Sequence, residues 1–273
     1  MCWVFSRVIV TPSEITKYQQ DGIVLLRDML ETRALDDLAA ALEDNMRLPG
    51  PWANEYAADE QQGRFFDDYV NWPRFDAYKT LALTGVLPQI ALALMKTNRG
   101  RFFHEHVLVK EPGTNRITPW HHDDPYYGID STINVSLWVP LDLIPENIAL
   151  RAIKGSHRWG KRYVPRRFVD ESPYVADAIG FDALPDAAIL DASSDIATFA
   201  AEPGDIVAFH FRTLHSAPAT TLHADRRRVI SFRYTSADAT WATRPWRTSP
   251  PLDAYNLRHG DVIDDERFPL VTS

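Results

Sequence analysis

The stretch INVSLWVPL, residues 133–141, alternates without a break: Ile133, Val135, Leu137, Val139 and Leu141 on one side, Asn134, Ser136, Trp138 and Pro140 on the other. Successive side chains of a strand point to opposite faces, so this reads as a β-strand with an aliphatic face and a polar–aromatic one. The aliphatic face should pack on helices. The other face looks into a barrel interior or its wet mouth, or is simply solvated, as in any one-sided antiparallel sheet.

The same split recurs elsewhere. In RRRVISFRYTS, Ile230, Phe232 and Tyr234 oppose Arg227, Ser231 and Arg233, and in RFFHEHVLVKEP one face carries His104, His106, Leu108 and Lys110. With IALRAIKGSH and GDIVAFHFRTLHS these form a block of β-branched and aromatic runs broken by Pro, Gly, Asp and Asn, the pattern of short strands and turns. Before Arg99 the texture is helical. TPSEITKYQQDG offers Thr11 as N-cap, Pro12 at the first helical position and Glu14 to close a capping box, with a stop near Gly22. ETRALDDLAAALEDNM spaces Leu35, Leu38, Ala39 and Leu42 as an amphipathic helix. FDAYKTLALTGVLPQIALALMKT predicts two helical pieces broken at Gly85 and Pro88, and GIVLLRDML predicts a strand. Arg166–Asp195 is a strand-poor insertion of lid-like character. Helices first and strands afterwards predict one α+β domain over 1–273: a mainly helical buttress (1–99), a β core (100–240) built as a barrel or sandwich, and a tail (241–273) packing near the site.

The totals narrow the function. A formal charge of −8 with no dense Lys/Arg run argues against a nucleic-acid surface. The single cysteine, Cys2, excludes an internal disulfide and an all-cysteine metal site. MCWVFSRVIV lacks the charge order and cleavage site of a secretory leader, and no run reaches the apolar length of a membrane span. A cytoplasmic location is expected, with no membrane partner; oligomeric state has no signature here.

TPWHHDDPYYG (118–128) then carries the chemistry. Residues two apart in a strand point the same way, so a His-x-Asp triplet delivers an imidazole and a carboxylate to one point. Either His121 with Asp123 or His122 with Asp124 has that spacing. FHFRTLHSAP adds a third donor, His215, at the end of an apolar strand. Two His and one carboxylate on one face of a metal leave adjacent positions open, the pattern of non-haem Fe(II) oxygenases. Many of these chelate 2-oxoglutarate, whose far carboxylate needs a bidentate cation, and RRRVISFRY supplies one.

These segments, with ITKYQQDGIVLLRDML, PENIALRAIKGSHRWG, PGDIVAFHFRTLHSAP, RRRVISFRYTSADATW and RPWRTSPP, resemble the phytanoyl-CoA dioxygenase (PhyH-like) family of Fe(II)/2-oxoglutarate-dependent oxygenases over nearly the whole chain. The resemblance implies a double-stranded β-helix, the jelly-roll or cupin-like barrel, buttressed by N-terminal helices. It implies Fe(II), 2-oxoglutarate and O2 as cofactor and cosubstrates. The family's Trp-His-x-Asp falls on Trp120 to Asp123, making His121, Asp123 and His215 the catalytic metal ligands. Arg227 matches the 2-oxoglutarate arginine, with Arg226 and Arg228 as neighbours. The resemblance implies oxidation, typically hydroxylation, of a C–H bond in a small molecule with release of succinate and CO2. Retention of Asp123 favours hydroxylation, desaturation or ring chemistry over halogenation. A non-oxidative cupin-like metal- and ligand-binding protein is the alternative.

Lys110, Thr118, Ser136 and Trp138 face the expected cavity as further 2-oxoglutarate contacts. Tyr126, Tyr127, Arg233 and Trp246 are candidate substrate contacts, with Arg244 beside the last. His157, His210 and His223 read as structural or exposed. Two departures from the family pattern stand out: ENIAL carries Ile148 where Gly is usual, and SAPATTLHADRRR lacks the usual Asn.

Overall fold

The structure is a computed structural model, and it describes residues 9–55, 63–114, 117–168, 170, 172–192, 195–219 and 226–273. The opening segment read for a leader and His223 therefore fall largely or wholly outside the described residues. In chain order the elements are α1 (Pro12–Asp21), β1 (Ile23–Leu26), α2 (Thr32–Arg47), β2 (Asn54–Glu55), β3 (Phe65–Tyr69), α3 (Asp76–Leu83) and α4 (Val86–Met95). There follow β4 (Arg99–Lys110), β5 (Thr118–His121), β6 (Ile129–Asp130), β7 (Asn134–Pro140), β8 (Arg151–Ile153), α5 (Ala187–Asp191) and β9 (Ile196–Thr198). The chain ends with β10 (Ile206–Phe209), β11 (His215–Ala217), β12 (Arg227–Ser236), β13 (Thr240–Trp241) and β14 (Leu270–Thr272).

The large sheet runs β1-β10-β7-β12-β4-β3-β2, with β14 also pairing β4; the small one runs β5-β11-β8-β9. All described pairings within them are antiparallel. Both sheets supply walls to one cavity, which fixes them as the opposed layers of a jelly roll. No ladder joins them into a closed barrel among the described residues.

The alternation expected of residues 133–141 decides which side of the large sheet is dry. Val135, Leu137 and Val139 pack with Ile230, Phe232 and Tyr234 of β12 and Phe102, Val107 and Val109 of β4. Helices α2, α3 and α4 complete that core through Leu38, Leu42, Tyr78, Leu87 and Ile90. The opposite faces of the same strands contribute Trp138, Arg227, Val229, Arg233, His106 and Lys110 to the cavity.

Helix α1 carries the expected capping box and ends at Gly22 in the left-handed region (φ 73°). Pro88 does not break the fourth helix: it lies in the first turn, where a missing N–H costs nothing, and the break falls at Gly85. Together Asp76–Met95 is long and apolar enough to match a membrane span by composition, contrary to expectation, yet 56% of its apolar window is buried inside the fold. The region read as a helical buttress also contains β2 and β3. FFDDY pairs with β4 from Phe65↔Lys110 to Tyr69↔His106 and so brings Asp67 and Tyr69 to the cavity.

Candidate metal centre and its cavity

His121 ends β5 and His215 opens β11, and the two are directly paired across the ladder. Asp123 is not in a strand. The strand stops at His121, and Asp123 takes helical backbone angles (φ −70°, ψ −35°) ahead of a 3-10 turn at Asp124–Tyr126, with Pro125 in its first turn. The carboxylate thus arrives by a turn rather than by strand alternation, and His215 stands at the start of a strand rather than the end of one. The three side chains still converge. Asp123 Oδ1 lies 3.6 Å from His121 Nε2 and 3.8 Å from His215 Nε2, and one ligand atom from each residue lies within 4.8 Å of the others.

Each imidazole is aimed by the chain. His121 Nδ1 sits 2.8 Å from the Pro119 carbonyl and His215 Nδ1 sits 2.9 Å from that of Thr213. A carbonyl only accepts, so Nδ1 carries the proton and Nε2 presents its lone pair to the cluster. Burial pushes the His215 pKa down to about 3, so the ring stays neutral. Burial would raise the Asp123 pKa, but Arg233 beside it and the two histidines hold it well below the usual carboxylate range. Ser136 donates to Asp123 Oδ2 at 3.2 Å, and Arg233 Nη2 lies 3.5 Å from the same oxygen. Two imidazole nitrogens and one carboxylate oxygen, preset and open on one side, are a donor set suited to a divalent iron.

The shifted pair is engaged otherwise. His122 Nε2 accepts from the Tyr163 amide at 3.0 Å, and Asp124 is held by Arg162 at 2.6 Å and Arg212 at 3.2 Å.

The cavity beside the triad has a volume of about 280 Å³. At one end Arg227 and Lys110 are cross-strand partners on β12 and β4. Arg227 Nη1 donates to the Ile148 carbonyl at 2.5 Å, and no carboxylate lies within ion-pair reach of it among the described residues. The residue that replaces the family's usual glycine therefore holds the arginine through its backbone. Burial lowers Arg227 to about 10 and lowers Lys110 well below its ordinary value, Arg227 adding to the effect on Lys110. Lys110 Nζ donates to Thr118 Oγ1 at 3.3 Å. The buried Arg227 guanidinium, with Lys110 beside it, favours an anion at that end of the cavity. Arg226 and Arg228 point elsewhere, into ion pairs with Glu43, Glu111 and Asp142.

The remaining expected contacts divide. Thr118, Trp138, Tyr126, Tyr127 and Arg233 line the cavity. Ser136 does not; its hydroxyl serves Asp123. Arg233 and Tyr127 are hydrogen-bonded to each other beside Asp123, so both back the carboxylate as well as the cavity. Trp246 stands outside the lining, donating to the Pro125 carbonyl at 2.9 Å and packing edge-on against Phe181. Arg244 is likewise engaged, with Asp130 and the Tyr127 carbonyl. The strand-poor insertion contributes Arg166, Arg167, Phe168 and Tyr174 to the lining, and the tail contributes Ser249. Phe168 stands edge-on to His121 at 4.9 Å. Asp67, Tyr69 and Phe65 of β3 also line it and escaped the sequence reading. The signal for them was slight: FFDDY carries three aromatic residues in five, but its paired aspartates break any apolar–polar alternation.

A jelly roll with this triad and a cationic pole is the architecture of a non-haem iron, 2-oxoglutarate-dependent enzyme. The chain belongs to the phytanoyl-CoA dioxygenase (PhyH) family, which it matches over residues 18–229. Among solved structures it is similar to the non-haem alpha-ketoglutarate-dependent carbocyclase SnoK from nogalamycin biosynthesis, at 22% identity and a TM-score of 0.75, covering 96% of this chain and 97% of that one. The epimerase SnoN, solved with Fe3+, alpha-ketoglutarate and nogalamycin RO, gives the same identity and TM-score over 94% and 97%. EctD from S. alaskensis, solved with 2-oxoglutarate and 5-hydroxyectoine, gives 17% and 0.68 over 95% and 87%.

Proposed function

We propose that the whole chain works as one dioxygenase domain that oxidises an unactivated C–H bond of a small molecule. The observation that carries this reading is the convergence of His121, Asp123 and His215 at the wall of a cavity whose far end holds Arg227 and Lys110. Iron, 2-oxoglutarate and O2, when bound, supply the oxidising power and yield succinate and CO2. The chain's part is placement. His121, Asp123 and His215 hold the metal. Arg227 fixes the distal carboxylate of 2-oxoglutarate, aided by Lys110 and Thr118, with Trp138 packing beside it. Ser136 and Arg233 keep Asp123 ionised and aimed. Tyr126, Tyr127, Phe168 and Tyr174 form the aromatic walls that seat a substrate and exclude water, and Arg166 and Arg167 suit a polar or anionic substrate.

Similar folds catalyse ring closure in SnoK and epimerisation in SnoN, so C–H oxidation here need not end in a hydroxyl group. The test is succinate formation by the iron-loaded protein in air with 2-oxoglutarate. Turnover that vanishes in Asp123→Ala supports the reading. Stoichiometric iron binding without 2-oxoglutarate consumption would instead place the protein with non-oxidative cupin-like binders.

A further inference from the structure

Three side chains of the cavity wall, Asp67, Tyr69 and His106, have no task in holding the iron or 2-oxoglutarate. All are buried, with exposures of 4%, 9% and 7%, and all line the cavity. Asp67 and Tyr69 come from β3 and His106 from β4, paired so that Tyr69 lies opposite His106. The Tyr69 and His106 rings stack at 4.0 Å with 20° between planes. Asp67 Oδ2 lies 3.3 Å from His106 Nε2 and accepts from the Tyr69 hydroxyl at 3.2 Å, while its other oxygen accepts from Asn54 at 3.0 Å.

The arrangement determines what the imidazole offers. A carboxylate only accepts, so Nε2 is the protonated nitrogen and Nδ1 bears the free lone pair. Burial lowers the His106 pKa, which keeps the ring neutral. Nδ1 has no protein partner among the described residues, yet the ring borders the cavity. Open to the cavity, this nitrogen can accept a hydrogen bond from a ligand that enters it, at a net gain of about 1 kcal/mol, the equivalent of roughly fivefold in affinity. Fixed at one edge by Asp67 and on one face by Tyr69, the ring loses little freedom when it accepts such a bond. Elsewhere the same cavity is lined by flat aromatic rings, Phe65, Tyr126, Trp138, Phe168 and Tyr174 among them.

We propose that His106, oriented by Asp67 and Tyr69, is the specificity-determining acceptor of the cavity and receives a hydrogen bond from a hydroxyl group on a cyclic substrate. The inference rests on the oxygenase reading and adds the substrate's class to it: a ring-bearing alcohol, held by its hydroxyl away from the metal.

The test uses the full chain loaded anaerobically with Fe(II) and 2-oxoglutarate, whose visible absorption band reports on ligands entering the cavity. Cyclohexanol, benzyl alcohol and 2-naphthol are each titrated against their own methyl ether. One hydrogen bond of ordinary strength predicts that each alcohol binds about fivefold more tightly than its ether. His106→Leu is expected to bring each pair within about twofold, His106→Gln to restore part of the difference through its side-chain carbonyl, and Asp67→Asn to give an intermediate value. A purely structural Asp67–His106 pair would lower thermal stability in all three variants and leave the alcohol-to-ether ratio unmoved. Equal binding of alcohols and ethers by the unaltered protein, no response to any alcohol, or discrimination that survives His106→Leu would each overturn the proposal. If the unaltered protein forms no band before any alcohol is added, it is the oxygenase reading that fails.

Discussion

His121 and His215 present Nε2 to Asp123 because their Nδ1 atoms already donate to backbone carbonyls of Pro119 and Thr213. The same economy governs Arg227, whose charge is buried against one carbonyl and, among the described residues, no acid. A charge-assisted bond of this kind is worth about 1.5–3 kcal/mol. Arg227→Ala should therefore raise the KM for 2-oxoglutarate roughly 10- to 100-fold, with a smaller change in kcat at saturation, and Arg227→Lys should recover only part, lacking the fork. An unchanged KM would remove Arg227 from the anion site. His122 makes a prediction about stability. Burial pushes its pKa down to about 4, so in the folded state it stays neutral while the unfolded chain, near the ordinary 6.5, takes up a proton. The unfolded state binds more protons between those values, so stability is full above about 6.5 and declines as pH falls toward 4, by roughly 3 kcal/mol from this residue alone. Chemical denaturation of the metal-free protein should show at least that decline, and His122→Gln should make it shallower by about this share, other histidines whose pKa burial lowers, such as His215 and His210, keeping the rest.

At the level of elements, the hinge between α1 and β1 reaches the metal site. Gly22 takes φ +73°, and a Cβ there would lie 2.3 Å from His157 Nδ1 and 2.5 Å from Thr213 Oγ1. Thr213 in turn donates to the Gly22 carbonyl at 2.8 Å and holds His215 through its own. Gly22→Ala combines an unfavourable backbone region with a clash, about 2 kcal/mol or more. Thermal melts should fall by roughly 4 °C or more, with weaker iron binding; a change within about 1 °C would contradict this. Gly22 was legible as a helix stop, since the capping box and periodicity of α1 are local. What it packs against was not. The strands read by alternation, β4, β7 and β12, were legible for the same local reason. FFDDY was hidden because an acidic pair is a poor strand signal until β4 is there to pair with it.

For the molecule as a whole, alternation assigned the dry face of the large sheet to the helices and left the polar face open between a cavity and solvent; the structure puts a cavity there. Spacing alone offered two His–Asp registers, the family resemblance selected His121 and Asp123, and a turn rather than a strand supplies Asp123. The insertion and the tail were legible as segments, but the cavity contacts of Arg166, Phe168, Tyr174 and Ser249 depend on tertiary packing that no local pattern encodes. The two sheets, the insertion and the tail all line the same cavity beside the triad. The most direct measurement is an anaerobic titration of the protein with Fe(II) in the presence of 2-oxoglutarate, followed by visible absorption. A weak charge-transfer band saturating at one iron per chain, and lost in His121→Ala, Asp123→Ala and His215→Ala, is the predicted result. Iron binding that survives all three substitutions, or a protein that takes up no iron, would contradict it.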